Sequence, residues 1–276
     1  MQRLSRTSVI AAALAATTAL SFLPLGPRAE ARPGPDGKKP TVVLVHGAWA
    51  DAAGWTQVAI RLAKAGYTVK APPNPLRGLA SDAAYLHSVL KTVPGPVVLV
   101  GHSYGGAVIT DAVRGDSRVK ALVYVAAFAP DAGDSLASLN ARPVDRPIPP
   151  LPLVPSAFPK PDGGEGTELT IDPARYPAVF LNDQLPRYEA QALAAEQRPL
   201  SLDSVEQTSG APAWKTVPSW YLVARQDRAI APDLERFMAA RAGARTVEVN
   251  GPHLIMATDP GAVTDLIERA ARATVR

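Results

Sequence analysis

A serine between glycines stands in the hexapeptide Gly101-His102-Ser103-Tyr104-Gly105-Gly106. It directly follows a buried-strand pattern at residues 97–100, and a helix pattern begins at Tyr104. A sharp turn from strand to helix strains the backbone at the serine, so its neighbours need glycine to avoid clashes. Because such a turn exposes the hydroxyl, Ser103 is predicted to be a nucleophile. A phosphate-binding turn is the alternative, but the dinucleotide spacing is not met.

A serine hydroxyl becomes a good nucleophile when a neighbouring imidazole takes its proton. The chain has four histidines. His253 lies in the short loop Gly251-Pro252-His253 after the last predicted strand, and it is predicted to be the base. His102 adjoins the serine and should point away from its hydroxyl, while His87 falls on the surface of a predicted helix.

The base in turn needs a carboxylate that fixes its tautomer and stabilises the imidazolium. Asp227 follows a predicted strand at residues 217–223 and preserves the chain order serine, aspartate, histidine. It is the preferred candidate. Asp131 and Asp134, which follow the preceding strand, remain alternatives.

Acyl transfer places negative charge on a carbonyl oxygen, which two preorganised amides can stabilise. The segment His46-Gly47-Ala48-Trp49 follows the first predicted strand, at the sheet edge where the serine is expected. The amides of Ala48 and Tyr104 are therefore the predicted oxyanion hole. His46 itself is expected to be a buried, hydrogen-bonded turn histidine.

Short apolar runs alternate with amphipathic ones from Thr41 onward, which predicts an α/β fold with a mostly parallel sheet of about six strands flanked by helices. The expected strands are residues 42–45, 67–70, 97–100, 119–125, 217–223 and 246–249. Helices are expected at residues 55–65, 104–113, 233–241 and 260–271, and a further one up to Lys91 with Ser81 and Asp82 as its N-cap. Residues 41–129 and 214–276 would form this core.

Residues 130–213 break the rhythm and are predicted to be an inserted cap over the strand ends. Eight prolines between residues 143 and 161 argue against regular helix or central strand there. A helix at residues 188–197 is the only regular element expected in this insertion, and no sheet is expected.

The N-terminus has the pattern of a secretory signal peptide: Arg3 and Arg6, an apolar run at residues 9–25, and the small-residue triplet Ala29-Glu30-Ala31. Cleavage after Ala31 would give a secreted protein without a stable membrane anchor, preceded by a flexible lead-in at residues 32–40. A membrane anchor is the alternative, but polar residues and Pro24 interrupt a run that is short for a spanning helix.

Composition excludes several classes of function. Removing residues 1–31 takes away three arginines and one glutamate, so the formal charge falls from +4 to +2. No cluster of basic residues then remains to bind nucleic acid. The absence of cysteine excludes disulfides and thiol catalysis, and the histidine spacing predicts no metal site. The oligomeric state is left open.

Four segments together resemble a known family: His46-Gly47-Ala48-Trp49 with the following Ala53-Gly54-Trp55, the turn around Ser103, the run from Asp227 to Ile230, and Gly251-Pro252-His253. They are similar to bacterial α/β-hydrolases of the small esterase type, and in pattern to plant methyl-ester esterases and hydroxynitrile lyases. The resemblance covers residues 41–128 and 215–272. It implies a serine, histidine and aspartate triad that needs no cofactor.

The expected activity is hydrolysis of a small-molecule carboxylic ester through an acyl-enzyme on Ser103. The pocket walls are expected to include Trp49, Tyr104, Trp214 and Met256. A hydroxynitrile lyase would need a cation in the cap, for which Lys160 and Lys215 are the candidates. Perhydrolase activity on the same triad, or a catalytically idle ligand-binding scaffold, are further alternatives.

Overall fold

The computed structural model describes residues 39–113 and 115–274. The predicted signal peptide at residues 1–31, and residues 32–38 of the expected lead-in, lie outside this part of the chain. No helix within the described ranges is long and apolar enough to cross a membrane.

Nine strands are described, and six of them form one sheet in which every neighbouring pair is parallel. In chain order the strands are β1 (Thr41–Val45), β2 (Val69–Lys70), β3 (Val97–Ser103), β4 (Val119–Ala127), β5 (Leu153–Pro159), β6 (Glu165–Ile171), β7 (Leu200–Ser201), β8 (Ser219–Ala224) and β9 (Arg245–Val249). The large sheet has the order β2-β1-β3-β4-β8-β9. This confirms the predicted α/β fold with six parallel strands.

The candidate site lies between β1 and β3, where the direction in which successive strands are added to the sheet reverses. The chain moves outward from β1 to β2 and then returns to build β3 on the other side of β1. In open parallel sheets, ligands bind outside the carboxyl ends of the strands at such a reversal. Here the two strands that flank it end at Val45 and at Ser103, in the register Val45 opposite Gly101.

The described chain has ten α-helices: α1 (Thr56–Lys64), α2 (Leu79–Leu90), α3 (Tyr104–Ala112), α4 (Leu136–Asn140), α5 (Tyr176–Phe180), α6 (Arg187–Ala195), α7 (Leu202–Glu206), α8 (Pro232–Arg241), α9 (Ile255–Thr258) and α10 (Pro260–Thr274). Two short 3-10 helices lie at Ala52–Trp55 and Ala213–Lys215. The predicted N-cap of α2 was wrong. Gly78 occupies that position, and Asp82 lies inside the first turns with its side chain fully buried. Its carboxylate has a tertiary role that is described below.

The insertion contains a sheet that the prolines led us not to expect. Strands β5, β6 and β7 pair antiparallel, with β6 in the centre. Pro155 and Pro159 both lie in β5, which is an edge strand and largely exposed. An edge strand tolerates proline because its outward amides need no partner in the sheet, so proline content excluded only a central strand.

Candidate active site

Ser103 is the last residue of β3 and immediately precedes α3. Its backbone has φ 53° and ψ −125°, a strained conformation for a residue with a side chain. A Cβ on Gly101 would lie 2.6 Å from the carbonyl oxygen of Gly105, so only glycine allows the turn to close so tightly. The serine is 5% exposed. The sequence motif therefore forms the expected turn.

Tyr104, the first residue of α3, is anchored to the neighbouring helix α2. Its hydroxyl donates a hydrogen bond of 2.7 Å to Oδ2 of Asp82. Burial raises the pKa of the Asp82 carboxyl, and burial followed by the nearby Asp82 charge raises the pKa of the Tyr104 phenol well above its usual range. The side chain of Tyr104 thus fixes the start of α3, while its backbone amide belongs to the first helical turn, where amides have no partner within the helix.

The loop after β1 lies directly against the serine. A Cβ on Gly47 would be 2.5 Å from Cβ of Ser103 and 2.9 Å from the carbonyl oxygen of His102. The next residue, Ala48, is buried. Its amide donates to no group in residues 39–113 or 115–274. The Gly47 backbone is therefore packed against Ser103, and the oxyanion-hole role of the Ala48 and Tyr104 amides stays a prediction.

The insertion holds Trp49 in place at the end of the same loop. Trp49 has a positive φ of 55°, which costs free energy in a residue other than glycine. Its indole donates to the carbonyl of Leu169 at 2.7 Å, its amide donates to the carbonyl of Arg198 at 3.3 Å, and its carbonyl accepts from the Tyr176 hydroxyl at 3.0 Å. All three partners belong to the insertion, so this part of the chain positions the loop.

His253 and Asp227 form a buried pair. Nδ1 of His253 donates to Oδ2 of Asp227 at 2.5 Å, and both side chains are almost fully buried. The other carboxylate oxygen of Asp227 accepts from the amides of Ala229 at 2.6 Å and Ile230 at 2.8 Å. These bonds fix the carboxylate, which in turn keeps the imidazole proton on Nδ1 and leaves Nε2 free to accept one.

The alternative acids are engaged elsewhere. Asp131 pairs with Lys215 at 2.6 Å, and Asp134 pairs with Arg241 at 2.7 Å. Of the three candidates, Asp227 is the one that the structure brings to His253.

Two neighbours fix the backbone and ring of His253. Nε2 of His102 donates to the carbonyl of His253 at 3.0 Å, so this ring nitrogen is engaged with the backbone of the base. Burial, followed by the neighbouring His253, lowers the pKa of His102 well below the usual range. Phe180 packs edge-on against the His253 ring with centroids 5.0 Å apart, and its carbonyl accepts from the amide of Leu254 at 2.9 Å.

Ser103 Oγ and His253 Nε2 are not hydrogen-bonded to each other within the described residues. His102, which adjoins the serine in sequence, has its ring centroid 4.7 Å from that of His253. Catalytic hydrogen bonds are often long in unliganded enzymes and tighten when the substrate is bound.

His46 has the structural role that the sequence predicts. Its Nδ1 donates to the carbonyl of Gly47 at 2.9 Å, and its Nε2 accepts from the amide of Asn74 at 2.9 Å. Burial lowers its pKa, which favours the neutral ring that this pair of bonds requires. The ring supports the loop that carries Ala48.

Two of the predicted pocket residues, Trp214 and Met256, have described contacts with residues other than Ser103, His253 and Asp227. Trp214 donates from its indole to the carbonyl of Pro130 at 2.8 Å. Met256 is fully buried, and its Cε would lie 3.6 Å from a Cβ on Gly54. Their role as pocket walls stays a prediction. Phe180 was missed by sequence reasoning because it lies in an insertion without a recognisable pattern.

The described residues contain no group of three or more histidine, cysteine, aspartate or glutamate side chains arranged to hold a metal ion.

Comparisons with known proteins agree with this architecture. A carbendazim hydrolyzing esterase of Nocardioides sp. (strain SG-4G) is 40% identical over 110 residues, which covers 35% of this chain and 46% of that protein. The alpha/beta hydrolase nvfD of Aspergillus novofumigatus is 27% identical over 257 residues, which covers 84% of this chain and 97% of the relative. The crystal structure of polyneuridine aldehyde esterase shares the fold, with a TM-score of 0.70 at 21% identity over 84% of this chain and 99% of that one.

The sequence model of the alpha/beta hydrolase family matches residues 42–266, which is most of the chain. This match confirms the resemblance drawn from the motifs. The chain belongs to the alpha/beta hydrolase family.

Proposed function

We propose that the protein hydrolyses small carboxylic esters through an acyl-enzyme on Ser103. The observation that carries the proposal is the 2.5 Å hydrogen bond from Nδ1 of His253 to Asp227, because it leaves the other ring nitrogen able to accept the serine proton. The strained turn that presents the serine and the loop packed against it supply the remaining parts of an acyl-transfer site.

In the first half of the reaction, Oγ of Ser103 attacks the ester carbonyl while its proton passes to Nε2 of His253. The negative charge that develops on the carbonyl oxygen is stabilised by the amides of Ala48 and Tyr104. When the intermediate collapses, the carbon–oxygen bond to the alcohol breaks, and the imidazolium gives its proton to the leaving alkoxide. Asp227 stabilises the imidazolium throughout.

In the second half, water attacks the acyl-enzyme and gives its proton to Nε2 of His253. The bond from the acyl carbon to Ser103 then breaks, and the serine recovers its proton from the imidazolium. The products are a carboxylic acid and an alcohol, and no cofactor is consumed.

The names of the related proteins support an ester as the substrate class, since one curated relative and one structural neighbour are called esterases. A lyase acting on cyanohydrins is not favoured. Lys160 pairs with Asp203 at 3.1 Å and Lys215 pairs with Asp131 at 2.6 Å, so the charge of each lysine is already engaged by a carboxylate.

The test is the turnover of p-nitrophenyl acetate by Ser103→Ala, with Ser88→Ala as the control. Ser88 is an exposed serine on α2 whose hydroxyl caps its own helix backbone. We expect Ser103→Ala to lose turnover and Ser88→Ala to keep it. Retained hydrolysis by Ser103→Ala would refute the assignment. Absence of both turnover and fluorophosphonate labelling in the unmodified protein would favour an idle scaffold.

We further propose that the protein is exported, on the strength of the charged, apolar and small-residue pattern in residues 1–31. The test is the mass of the N-terminal peptide of protein recovered from the culture medium. A mature chain that begins at Arg32 supports export. Protein found only in cells with residues 1–31 intact contradicts it.

A further inference from the structure

Glu235 is a fully buried carboxyl group close to the candidate triad. It lies in the first turn of α8, eight positions after Asp227 in the chain, and has 0% of its surface exposed. Burying an ionised carboxylate costs several kcal/mol unless a cation or several hydrogen-bond donors compensate for the lost water. The contacts of Glu235 therefore decide whether its side chain is an ionised carboxylate or a neutral carboxylic acid.

These contacts suit a carboxylic acid rather than a carboxylate. Oε2 accepts one hydrogen bond from the amide of Ala224, at 3.2 Å, and Oε1 is buried without a donor. The two acidic residues bind the same neighbour: the amide of Ala224 donates to Oε2 of Glu235, and the amide of Asp227 donates to the carbonyl of Ala224 at 3.1 Å. Two ionised carboxylates buried in one place repel each other, which favours a proton on one of them.

The charges and titratable groups around the pair do not neutralise Glu235. Tyr221 on β8 faces it, but its hydroxyl is bonded to the backbone of Ala127. The guanidinium of Arg236 is bonded to Asp233 and Glu248. Burial first, and then the charge of Asp227, hold the pKa of Glu235 well above its usual range.

The proton belongs to Glu235 and not to Asp227. The two oxygens of Asp227 already accept three hydrogen bonds, from two amides and from the His253 ring. By contrast, Glu235 has a single donor for two oxygens. A proton on Oε1 would satisfy the oxygen that has no partner and would give Asp227 a fourth donor.

We propose that Glu235 is a neutral acid that donates a hydrogen bond to Asp227 and thereby positions the carboxylate behind the catalytic histidine. The catalytic part of this inference rests on the proposed function, whereas the protonation of Glu235 does not. Glu235 is a positioning residue, because it acts on the imidazole only through Asp227.

Protonation is tested by unfolding the protein and Glu235→Gln in urea at several pH values. At pH values above the usual glutamate range, Glu235 is ionised in the unfolded chain but protonated in the folded protein. Folding in this range therefore takes up one proton. The stabilisation is complete below that range and is lost as the pH rises toward the raised folded value. Above the usual glutamate range and below the raised folded pKa of Glu235, the unfolding constant of the unmodified protein relative to that of Glu235→Gln should rise about tenfold per pH unit.

Glu248→Gln is the matched control. Hydrogen bonds to Arg236 lower the pKa of Glu248, so Glu248 is ionised in both the folded and the unfolded protein over this range. The unfolding constant of the unmodified protein relative to that of Glu248→Gln should therefore not change with pH. A ratio for Glu235→Gln that is equally independent of pH would overturn the proposal. This outcome would leave the proposed ester hydrolysis intact.

Positioning is tested by kinetics of Glu235→Gln and Glu235→Met. The glutamine amide can donate to Asp227 while its oxygen accepts from Ala224, so kcat should be rescued to near the original value. Methionine has a similar shape but cannot donate, and kcat should fall about tenfold with little change in KM and a shifted acid limb of the pH profile. Equal kcat and equal pH profiles in the two variants would overturn the positioning role.

Discussion

Replacing Asp227 with asparagine should move the proton of the neutral His253 ring from Nδ1 to Nε2. The two amides of Ala229 and Ile230 require an acceptor at the oxygen that they bind, so they fix the asparagine carbonyl there. Its NH₂ group must then face Nδ1 of His253. An imidazole that accepts a hydrogen bond at Nδ1 carries its proton on Nε2, and this nitrogen cannot deprotonate Ser103.

The expected loss follows from this tautomer. Holding the histidine in the wrong tautomer costs about 10⁴-fold in kcat, which is about 5.5 kcal/mol at about 1.4 kcal/mol per factor of ten. Because the shape of the side chain is unchanged, KM should change little. The assay is the steady-state hydrolysis of p-nitrophenyl acetate, with circular dichroism to verify the fold.

Asp131→Asn is the control, since Asp131 pairs with Lys215 and does not contact the imidazole. Its kcat should stay within about twofold of the original, as expected for a largely exposed ion pair. If Asp227→Asn kept kcat within about tenfold, or if Asp131→Asn lost as much as Asp227→Asn, Asp227 would not be the residue that orients the imidazole.

Two further substitutions test the parts around the serine. Gly47→Ala places a Cβ 2.5 Å from Cβ of Ser103, so the loop must shift and kcat should fall by about 100-fold or more, measured with the same ester; a kcat within twofold would contradict the close packing. Tyr104→Phe removes the donor to Asp82 and should lower the free energy of unfolding by about 1–3 kcal/mol at neutral pH. The pKa of Asp82 is already raised by burial, so the loss should shrink as acid protonates the carboxyl; urea unfolding at several pH values that gave a constant loss would refute this role.

The sequence predicts the main sheet and the serine turn well because local rules govern both. Runs of buried apolar residues define strands such as β3, and glycines at fixed offsets mark a turn that no other residue could form. The order of strands and loops then places His253 at the same edge as the serine. These parts need no knowledge of distant contacts.

The parts that sequence reasoning missed depend on tertiary contacts. Asp82 is a residue type that often caps helices, but its carboxylate accepts from the Arg77 amide before α2 and from the Tyr104 hydroxyl, 22 positions away in the chain. Whether proline excludes a strand depends on whether that strand lies at an edge, as β5 does. The neighbours of the His253 ring include Phe180 from the insertion, and no periodic pattern predicts that contact.

Activation of the Ser103 hydroxyl by the imidazole of His253 is the step on which the proposed hydrolysis depends. The most direct test is the rate of covalent labelling by a fluorophosphonate, followed by intact mass and peptide mapping, in the unmodified protein and in His253→Gln. We expect one adduct, on Ser103, and labelling at least about 100-fold slower in the variant. An adduct on another residue, or equal rates in the two proteins, would contradict it.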